Sequence, residues 1–293
     1  MDVETIAARV WPGRRLEIEP LGGGITNRNF RVECDGRSYV LRIGGKDTEV
    51  LGIDRRAEFR AASLAASLGV GPQVVEFVEP EGYLVTRFVE GKPAPPEEIR
   101  RPDVLSEVAR LLRRFHDGPA VPSRFDSFRV VEAYRASAVA YGVDVPAAYE
   151  DAKSTADRIE AGLGRQPAVP CHNDLLNANF IRSPDGIRIV DWEYAGMGDR
   201  FFDLANFAVN HELDEGGESA FLDAYFGEVR PADAVHLRLL RFMSDFREAM
   251  WGVLQQGVSE LDFDFADYAE RHFERLRRTA ESASFRSALT AAG

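Results

Sequence analysis

The sequence predicts an α+β fold of two lobes, a small β-rich lobe over residues 1–89 and a larger, mainly helical lobe over residues 90–293. Short alternating or β-branched segments separated by glycine turns dominate the first part. After a proline-rich stretch from Pro93 to Pro96, apolar residues recur at helical spacing. A chain of 293 residues is long enough for about two domains. We therefore expect a cleft between the two lobes.

In the first lobe the pattern predicts strands separated by short turns and one helix. Strands are expected near residues 16–19, 30–34, 38–43, 74–78 and 83–89. A glycine run from Gly22 to Gly24 interrupts the first two strands. The helix should begin after Asp54, a residue type that caps helix N-termini, and end at Leu68 before Gly69. The predicted order is β-β-β-α-β-β.

In the second lobe the first long helix is expected over residues 104–115, with a terminator at Gly118 and Pro119. Further helices are expected near residues 146–164, 201–212, 217–226, 233–256 and 264–283. Two short apolar runs, 180–182 and 187–190, flank a Ser-Pro-Asp-Gly turn and predict a hairpin embedded among these helices.

The hairpin lies between three polar residues with a recognisable chemistry. Asp174 is followed by Asn179 before the hairpin, and Asp191 comes directly after it. Phosphoryl transfer needs a carboxylate to orient and deprotonate the attacking hydroxyl, and oxygen ligands to hold Mg²⁺ on nucleotide phosphates. A hairpin returns Asp191 close to Asn179, so both can hold one metal ion. The alternative is a chance set of loop residues, but the pattern resembles the kinase signature.

Composition and charge fit a globular enzyme. The chain is 45% hydrophobic and 29% charged, and its formal net charge of −12 disfavours nucleic acid or anionic membrane as a partner. Cys34 and Cys171 have no metal-ligand spacing and are expected to be reduced thiols. Residues 1–5 lack the features of a secretion signal, and no apolar run has membrane-spanning length. We expect a cytoplasmic location, and no pattern specifies an oligomeric state.

Several blocks together resemble the choline/ethanolamine kinase family, which lies within the aminoglycoside-phosphotransferase-like group of small-molecule kinases. The resemblance covers nearly the whole chain and is carried by residues 172–179, 191–196, 202–206, 251–255 and 267–269. It implies a protein-kinase-like fold, ATP and Mg²⁺ as cofactors, and a small cationic alcohol as the acceptor.

The glycine run is the expected phosphate loop. Gly22, Gly23 and Gly24 can bring backbone N–H groups close to phosphate oxygens because no Cβ intervenes. Thr26 and Asn27 would add side-chain donors. A glycine triplet alone is a weak signal, and a flexible turn is the alternative.

The third strand carries Arg42 where protein kinases have a lysine, a substitution that is itself similar to choline kinases. Its guanidinium can hold the α and β phosphates bidentately, and Glu58 should position it through an ion pair. Arg55 and Arg56 are expected on a solvated face.

Other positions receive roles from the same architecture. Backbone groups near Arg87 and Val89 should read the adenine edge. His172 is expected to orient the loop by hydrogen bonding, with Asp174 as the base. Asp203 is expected to brace the loop. Glu193 either supports the metal ligands or is an exposed acid at a strand end.

Acceptor recognition is expected at Asp174, Tyr194, Trp251, Tyr268 and Glu212. A quaternary ammonium has no hydrogen to donate and is held by aromatic faces and carboxylates. Taken singly, each aromatic residue would more often belong to the core.

The chain also departs from the family pattern. Trp251 is followed by Gly-Val-Leu rather than Gly-x-Trp, and Asn210 and His211 stand where the family often has Glu-Trp, with Glu212 displaced by two positions. Choline or ethanolamine remains the leading acceptor. Thiamine, an aminoglycoside or a sugar-like alcohol is the alternative, as is a non-catalytic nucleotide-binding regulator.

Overall fold

An antiparallel sheet of five strands, in the order β1-β2-β3-β5-β4, forms the N-terminal part of the chain. The computed structural model describes residues 2–22, 27–45 and 48–293. The strands are β1 (Leu16–Leu21), β2 (Asn27–Cys34), β3 (Arg37–Gly44), β4 (Val74–Val78) and β5 (Tyr83–Arg87). Helix α1 (Val3–Val10) precedes the sheet, and helix α2 (Arg55–Ser67) connects β3 to β4.

The rest of the chain is mainly helical, with short strands near the cleft. The short strands are β6 (Lys92–Pro93), β7 (Val169–Cys171), β8 (Phe180–Ser183), β9 (Gly186–Ile189) and β10 (Gly196–Gly198). The helices are α3 (Pro96–Ile99), α4 (Pro102–His116), α5 (Ser127–Ala140), α6 (Ala148–Leu163), α7 (Arg200–Asn210), α8 (Glu215–Phe226), α9 (Pro231–Val258), α10 (Phe265–Glu281) and α11 (Ala283–Ala292).

The predicted α+β architecture is confirmed, including the strand and helix order of the first lobe. Asp54 caps α2 as expected, because its side chain accepts hydrogen bonds from the amides of Arg56 and Ala57. Four helices were not predicted: α1, α3, α5 and α11. Helix α1 buries only Ile6 and Ala7 against the sheet, and two buried residues are too few to give a clear helical periodicity in the sequence.

Helix α2 lies between two strands of the five-stranded sheet in sequence, but it packs against the larger lobe. Ala61 and Ala65 on its buried face lie in the main core cluster with residues of α4, whereas the interior of the sheet forms a second cluster around Val32 and Leu41. The helix therefore lies between two cores. Glu58, on the same helix, is held at the boundary between the lobes.

The predicted hairpin is confirmed as β8 and β9, with Phe180 opposite Ile189. Strand β6 pairs with β8, which ties the connection between the lobes to the hairpin. This close approach requires a glycine: a Cβ at Gly91 would lie 2.1 Å from the Arg182 carbonyl oxygen. The amide of Val190 donates to the Asn179 carbonyl at 3.0 Å, so the residue before Asp191 is joined directly to the loop before the hairpin.

Within residues 2–22, 27–45 and 48–293, no helix combines the length and apolar character needed to span a bilayer.

His211 is a buried histidine in an apolar setting, and it makes the stability of the fold depend on pH. Its Nδ1 lies 2.8 Å from the Phe207 carbonyl oxygen, and its ring packs against the rings of Phe180 and Phe207. Burial lowers the pKa of His211 to about 4. The unfolded chain therefore binds a proton more readily, and stability is lost as the pH falls from about 6.5 towards 4.

We expect His211→Asn to weaken the acid sensitivity of folding, because the amide can replace the Nδ1 donor without titrating. Between pH 7 and pH 5 the wild type should lose about 2 kcal/mol more unfolding free energy than the variant. Urea unfolding at both pH values measures this difference. His236→Asn is the matched control, since His236 makes the same contact to a carbonyl four residues back but is only partly buried. Equal losses in His211→Asn and wild type would contradict the assignment.

Candidate active site

A cavity of about 350 Å³ lies between the five-stranded sheet and the β8–β9 hairpin. Its walls include seven residues predicted to bind the nucleotide or the metal: Gly22, Arg42, Glu58, Arg87, Val89, Asn179 and Asp191. Val40, Leu84 and Ile181 contribute apolar lining, and Arg42, Glu58 and Asp191 contribute charged groups. Apolar walls with a few convergent polar groups are typical of small-molecule sites.

The backbone at the end of β5 offers fewer free groups than expected. The amide of Arg87 donates to the Gln73 carbonyl at 2.8 Å, and the amide of Phe88 donates to the Ser38 carbonyl at 3.1 Å. The amide of Val89 has no partner within the described part of the chain. The Arg87 side chain stacks over the Tyr39 ring at 4.8 Å. Val89 is therefore the amide that can contact a ligand in the cavity.

The expected ion pair between Arg42 and Glu58 is confirmed, with Nη1 of Arg42 2.8 Å from Oε1 of Glu58. The same nitrogen lies 2.6 Å from Oδ1 of Asp191, across the cleft. Burial opposes ionisation of Arg42, but Asp191, Glu58 and Glu193 together raise its pKa above the usual value. Arg42 thus remains charged and connects the sheet, α2 and the residue that follows the hairpin.

Arg55 was predicted on a solvated face, and this prediction is wrong. Its side chain is 15% exposed and its Nη1 contacts Glu58 at 2.7 Å and Glu193 at 3.0 Å. Helix α2 directs Arg55 and Glu58, one turn apart, towards the same cluster. Arg56 is exposed as expected. Sequence alone could not distinguish the two because both arginines lie in the first turn of one helix.

Glu193 and Asn27 complete this cluster. Glu193 is buried, which raises the pKa of its carboxyl group, so the expectation of an exposed acid is excluded. Asn27 was predicted to donate to phosphate, but its amide nitrogen donates to Glu193 at 2.9 Å and its amide oxygen accepts from Arg55 at 2.9 Å. This amide positions charged side chains instead. Gly23, Gly24 and Thr26 lie outside the described residues.

The loop after β7 is held by one buried carboxylate. Asp203 of α7 accepts hydrogen bonds from the amides of His172 at 2.7 Å and Asn173 at 2.6 Å. Its Oδ2 also lies 2.9 Å from Nε2 of His116 on α4. Asn173 has a left-handed backbone with φ of 67°, a conformation that asparagine tolerates better than most residues. The expectation that Asp203 braces the loop is confirmed.

Within the loop, His172 and Asn179 orient the backbone around Asp174. Nε2 of His172 lies 2.9 Å from the Val190 carbonyl, and its Nδ1 lies 3.2 Å from the Asp174 amide. These contacts assign the proton to Nε2 and agree with the lowered pKa that burial gives this ring. Nδ2 of Asn179 donates to the Asp174 carbonyl at 2.8 Å, which leaves its amide oxygen available.

Asp174 lies in a second charged cluster that sequence reasoning missed. Arg247, on α9, places its Nη1 3.1 Å from Oδ1 of Asp174 and also bonds Glu248. Burial raises the pKa of Asp174 to about 8, with Arg247 opposing the shift and Glu248 adding to it. A signal existed in the sequence: Arg247 and Glu248 lie in residues 246–254 of α9, and the other residues of this stretch are all apolar or glycine. Charges in such a segment are buried with a partner.

The structure brings together the three aromatic residues predicted to bind the acceptor. Nε1 of Trp251 donates to the Tyr194 hydroxyl at 3.0 Å, and the rings of Trp251 and Tyr268 meet edge to face at 5.5 Å. The Tyr268 hydroxyl donates to Glu248 at 2.8 Å. The aromatic group therefore adjoins the Asp174–Arg247–Glu248 cluster.

Glu212 was predicted to bind the acceptor, and the structure places it elsewhere. It follows α7 at the turn before α8, where its side chain is 81% exposed and lies 3.9 Å from Arg100. Asp203 near the start of α7 contacts the loop, whereas α7 ends at Asn210 about 10 Å further along, and Glu212 follows in the turn after it. Glu248 is the acid that accompanies the aromatic residues instead.

Comparison with known proteins agrees with this geometry. A model of the phosphotransferase enzyme family, APH, matches residues 17–239, a range that includes the sheet, the loop and the hairpin. The chain belongs to this phosphotransferase family. It is therefore a small-molecule phosphotransferase with a kinase-like fold.

Relatives of this phosphotransferase include proteins named as choline kinases, ethanolamine kinases or members of their family. A choline/ethanolamine kinase family protein from Mesorhizobium loti is 31% identical, covers 99% of this chain and 98% of its own, and superposes with a TM-score of 0.84. Ethanolamine kinase 2 from Rattus norvegicus is 27% identical over 90% of this chain and 76% of its own length. Choline kinase LicA from Streptococcus pneumoniae shares the fold, with 24% identity, a TM-score of 0.80, and 94% and 98% of the two chains covered.

We expect Asp203→Asn to damage both the stability and the turnover of this phosphotransferase. Both carboxylate oxygens accept from backbone amides, so one amide would face an NH₂ group. The unfolding free energy should fall by about 2–4 kcal/mol and ADP release by at least about 10-fold. Denaturant unfolding and a coupled ADP assay measure the two effects. Asp223→Asn, at an exposed position of α8, should change neither; wild-type values for Asp203→Asn would contradict the bracing role.

Proposed function

We propose that this protein transfers the γ-phosphoryl group of ATP to the hydroxyl of a small amino alcohol, with choline and ethanolamine as the leading acceptors. One observation carries the proposal: Asp174, Asn179 and Asp191 converge where the cavity between the lobes meets the catalytic loop. We also propose that residues 1–89 form the nucleotide lobe and residues 90–293 the catalytic and acceptor lobe.

The proposed reaction is a direct in-line transfer. Asp174 orients the acceptor hydroxyl and takes its proton, while the hydroxyl oxygen forms a bond to the γ phosphorus. The bond between that phosphorus and the bridging oxygen of ADP breaks, and ADP leaves with those electrons. His172 and Asn179 hold the loop that presents Asp174. Arg42 and the backbone at Gly22 face the nucleotide phosphates.

The donor set fits a magnesium ion. Asn179 offers its free amide oxygen and Asp191 a carboxylate oxygen, and both line the cavity. Hard oxygen ligands of this kind suit Mg²⁺, which would neutralise charge on the nucleotide phosphates. Asp191 has a left-handed backbone with φ of 67°, a strained conformation of the sort that clusters at functional sites.

The acceptor assignment rests on the aromatic group and on the relatives. Trp251 and Tyr268 lie together with Glu248, which is the chemistry that holds an ammonium group, while the Tyr194 ring faces the Arg247 guanidinium. The named relatives are choline or ethanolamine kinases. Thiamine, aminoglycosides and sugar-like alcohols remain the alternative acceptors. A cytoplasmic enzyme without nucleic acid or membrane partners is part of the same proposal.

An acceptor panel tests the proposed function. Purified protein with Mg·ATP should release ADP well above the acceptor-free rate when choline or ethanolamine is added. Thiamine, an aminoglycoside and a sugar alcohol should give at least about 10-fold less, since the sugar alcohol has no ammonium group and the other two are much larger than choline or ethanolamine. Preference for one of these three would overturn the amino alcohol assignment but keep the kinase activity.

The role of Asp174 is tested by Asp174→Asn, which keeps the shape and the contact to Arg247 but cannot take a proton. Turnover should fall by several orders of magnitude, while ATP binding measured by calorimetry stays within about 2-fold. Asp185→Asn, at the exposed turn of the hairpin, is the matched control and should resemble the wild type. Turnover retained in Asp174→Asn would remove Asp174 from the proposed role.

A further inference from the structure

Arg55 lies in a slot that two glycines make between α2 and the five-stranded sheet. Its side chain is 15% exposed and, unlike that of Arg42, does not line the cavity between the lobes. A Cβ at Gly44, at the end of β3, would lie 2.9 Å from Nε of Arg55. A Cβ at Gly82 would lie 2.8 Å from the Cβ of Arg55. Both glycines are therefore needed for the arginine to fit.

From this slot Arg55 contacts three other elements of the chain. Its Nη1 lies 2.7 Å from Glu58 on α2 and 3.0 Å from Oε2 of Glu193. Its Nη2 donates to the amide oxygen of Asn27, at the start of β2, at 2.9 Å. Nδ2 of Asn27 donates to the same oxygen of Glu193 at 2.9 Å. Arg55, Asn27 and Glu193 thus form a closed triangle of hydrogen bonds.

The triangle joins two segments that have separate roles in the proposed reaction. Asn27 directly follows the expected phosphate loop, and Glu193 lies two residues after Asp191, the proposed metal ligand. Asn27 and Glu193 are 7% and 5% exposed, so neither side chain can turn to water when a contact is lost. Buried hydrogen-bonded groups of this kind hold one another in a single arrangement.

The shape and charge of the guanidinium both matter in this arrangement. Burial opposes ionisation of Arg55, but Glu58 and Glu193 raise its pKa above the usual value, so the group stays charged. A planar guanidinium contacts all three partners at once through two nitrogens. A lysine keeps the charge but presents it from a single nitrogen, and it cannot reproduce this geometry.

We propose that Arg55 is a positioning residue for binding of the nucleotide phosphates. By holding Asn27 and Glu193 together, it fixes the end of the expected phosphate loop relative to Asp191. Arg55 acts through these residues and does not touch the ligand. The apolar walls on β3 and β5 do not depend on it, so its contribution is specific to the phosphate end of the cavity. This inference rests on the proposed kinase function and adds a residue to its nucleotide site.

Affinities for adenosine, ADP and Mg·ATP test the inference on the full-length protein. In Arg55→Lys the Kd for ADP and Mg·ATP should rise about 10-fold, while the Kd for adenosine stays within about 2-fold of the wild type. Calorimetry measures ADP and Mg·ATP, and adenosine is measured by its displacement of ADP. In the ADP-release assay the KM for ATP should rise by about the same factor, while the KM for the acceptor stays within about 2-fold.

The neighbouring Arg56→Lys is the matched control, because the Arg56 side chain is 79% exposed, and it should keep all wild-type values. Equal weakening of adenosine and ADP in Arg55→Lys would mean general damage and would overturn the positioning role. Wild-type affinity for ADP in that variant would overturn it as well, while the kinase function stands. If the wild type binds none of the three compounds, the proposed kinase function and this inference are both overturned.

A second variant displaces Arg55 without changing its charge. In Gly44→Ala the new Cβ meets the guanidinium, the far end of a flexible side chain, which can move away. The ratio of the Kd for ADP to that for adenosine should rise at least about 5-fold, and adding Arg55→Lys should raise it little further. Gly216→Ala, in α8, is the control, since its Cβ would make only an ordinary contact at 3.5 Å.

The Gly44→Ala result also decides the matter if Arg55→Lys does not fold. A wild-type ratio in Gly44→Ala would overturn the positioning role, and so would full additivity of the two substitutions, because they are proposed to break the same contacts.

Discussion

The ion pairs of Arg42 hold the two parts of the site in one arrangement. This side chain reaches from β3 of the sheet to Glu58 on α2 and to Asp191 after the hairpin. Because Arg42 is mostly buried, its charge depends on these two carboxylates for compensation. Around it, two guanidinium groups, those of Arg42 and Arg55, face the three carboxylates of Glu58, Asp191 and Glu193. The excess of negative charge suits the metal ion proposed to accompany the nucleotide.

A second constraint fixes the position of the loop that carries Asp174. The carboxylate of Asp203 binds two consecutive backbone amides, so the loop cannot shift without losing both hydrogen bonds. Asn173, which supplies the second of these amides and directly precedes Asp174, has a left-handed backbone conformation. Helix α7, which carries Asp203, is buried along most of its length. The rigid interior of the larger lobe therefore determines where the proposed base points, while Arg42 determines where the proposed metal ligand lies.

Much of this arrangement was predictable because it depends on local chemistry. The cap at Asp54, the Ser-Pro-Asp-Gly turn and the spacing of Asp174 and Asn179 are encoded within a few residues of one another. The burial of Arg55 and Arg247 was not predictable in the same way. Both lie on helices, where adjacent positions can face either water or the interior. Their direction depends on partners that are distant in sequence, Glu193 for Arg55 and Asp174 for Arg247. Helix α9 is buried on most sides, so its periodicity indicates a helix without indicating which charged residue faces the site.

The nucleotide half of the site matches the family's sequence pattern more closely than the acceptor half does, and the chemistry of the two substrates explains the difference. Every kinase of this kind must position the same phosphates, and Arg42, Asn179 and Asp191, which we propose for this role, line one cavity. Acceptors differ, and here Leu254 stands at the position where the family resemblance predicts a second tryptophan after Trp251. Meanwhile a guanidinium lies against Tyr194. Burying Arg247 with two carboxylates carries a large desolvation cost, whereas a simple cation cage would need only rings and one acid. The acceptor half of this site therefore differs from a simple cation cage in its charges as well as in its aromatic wall.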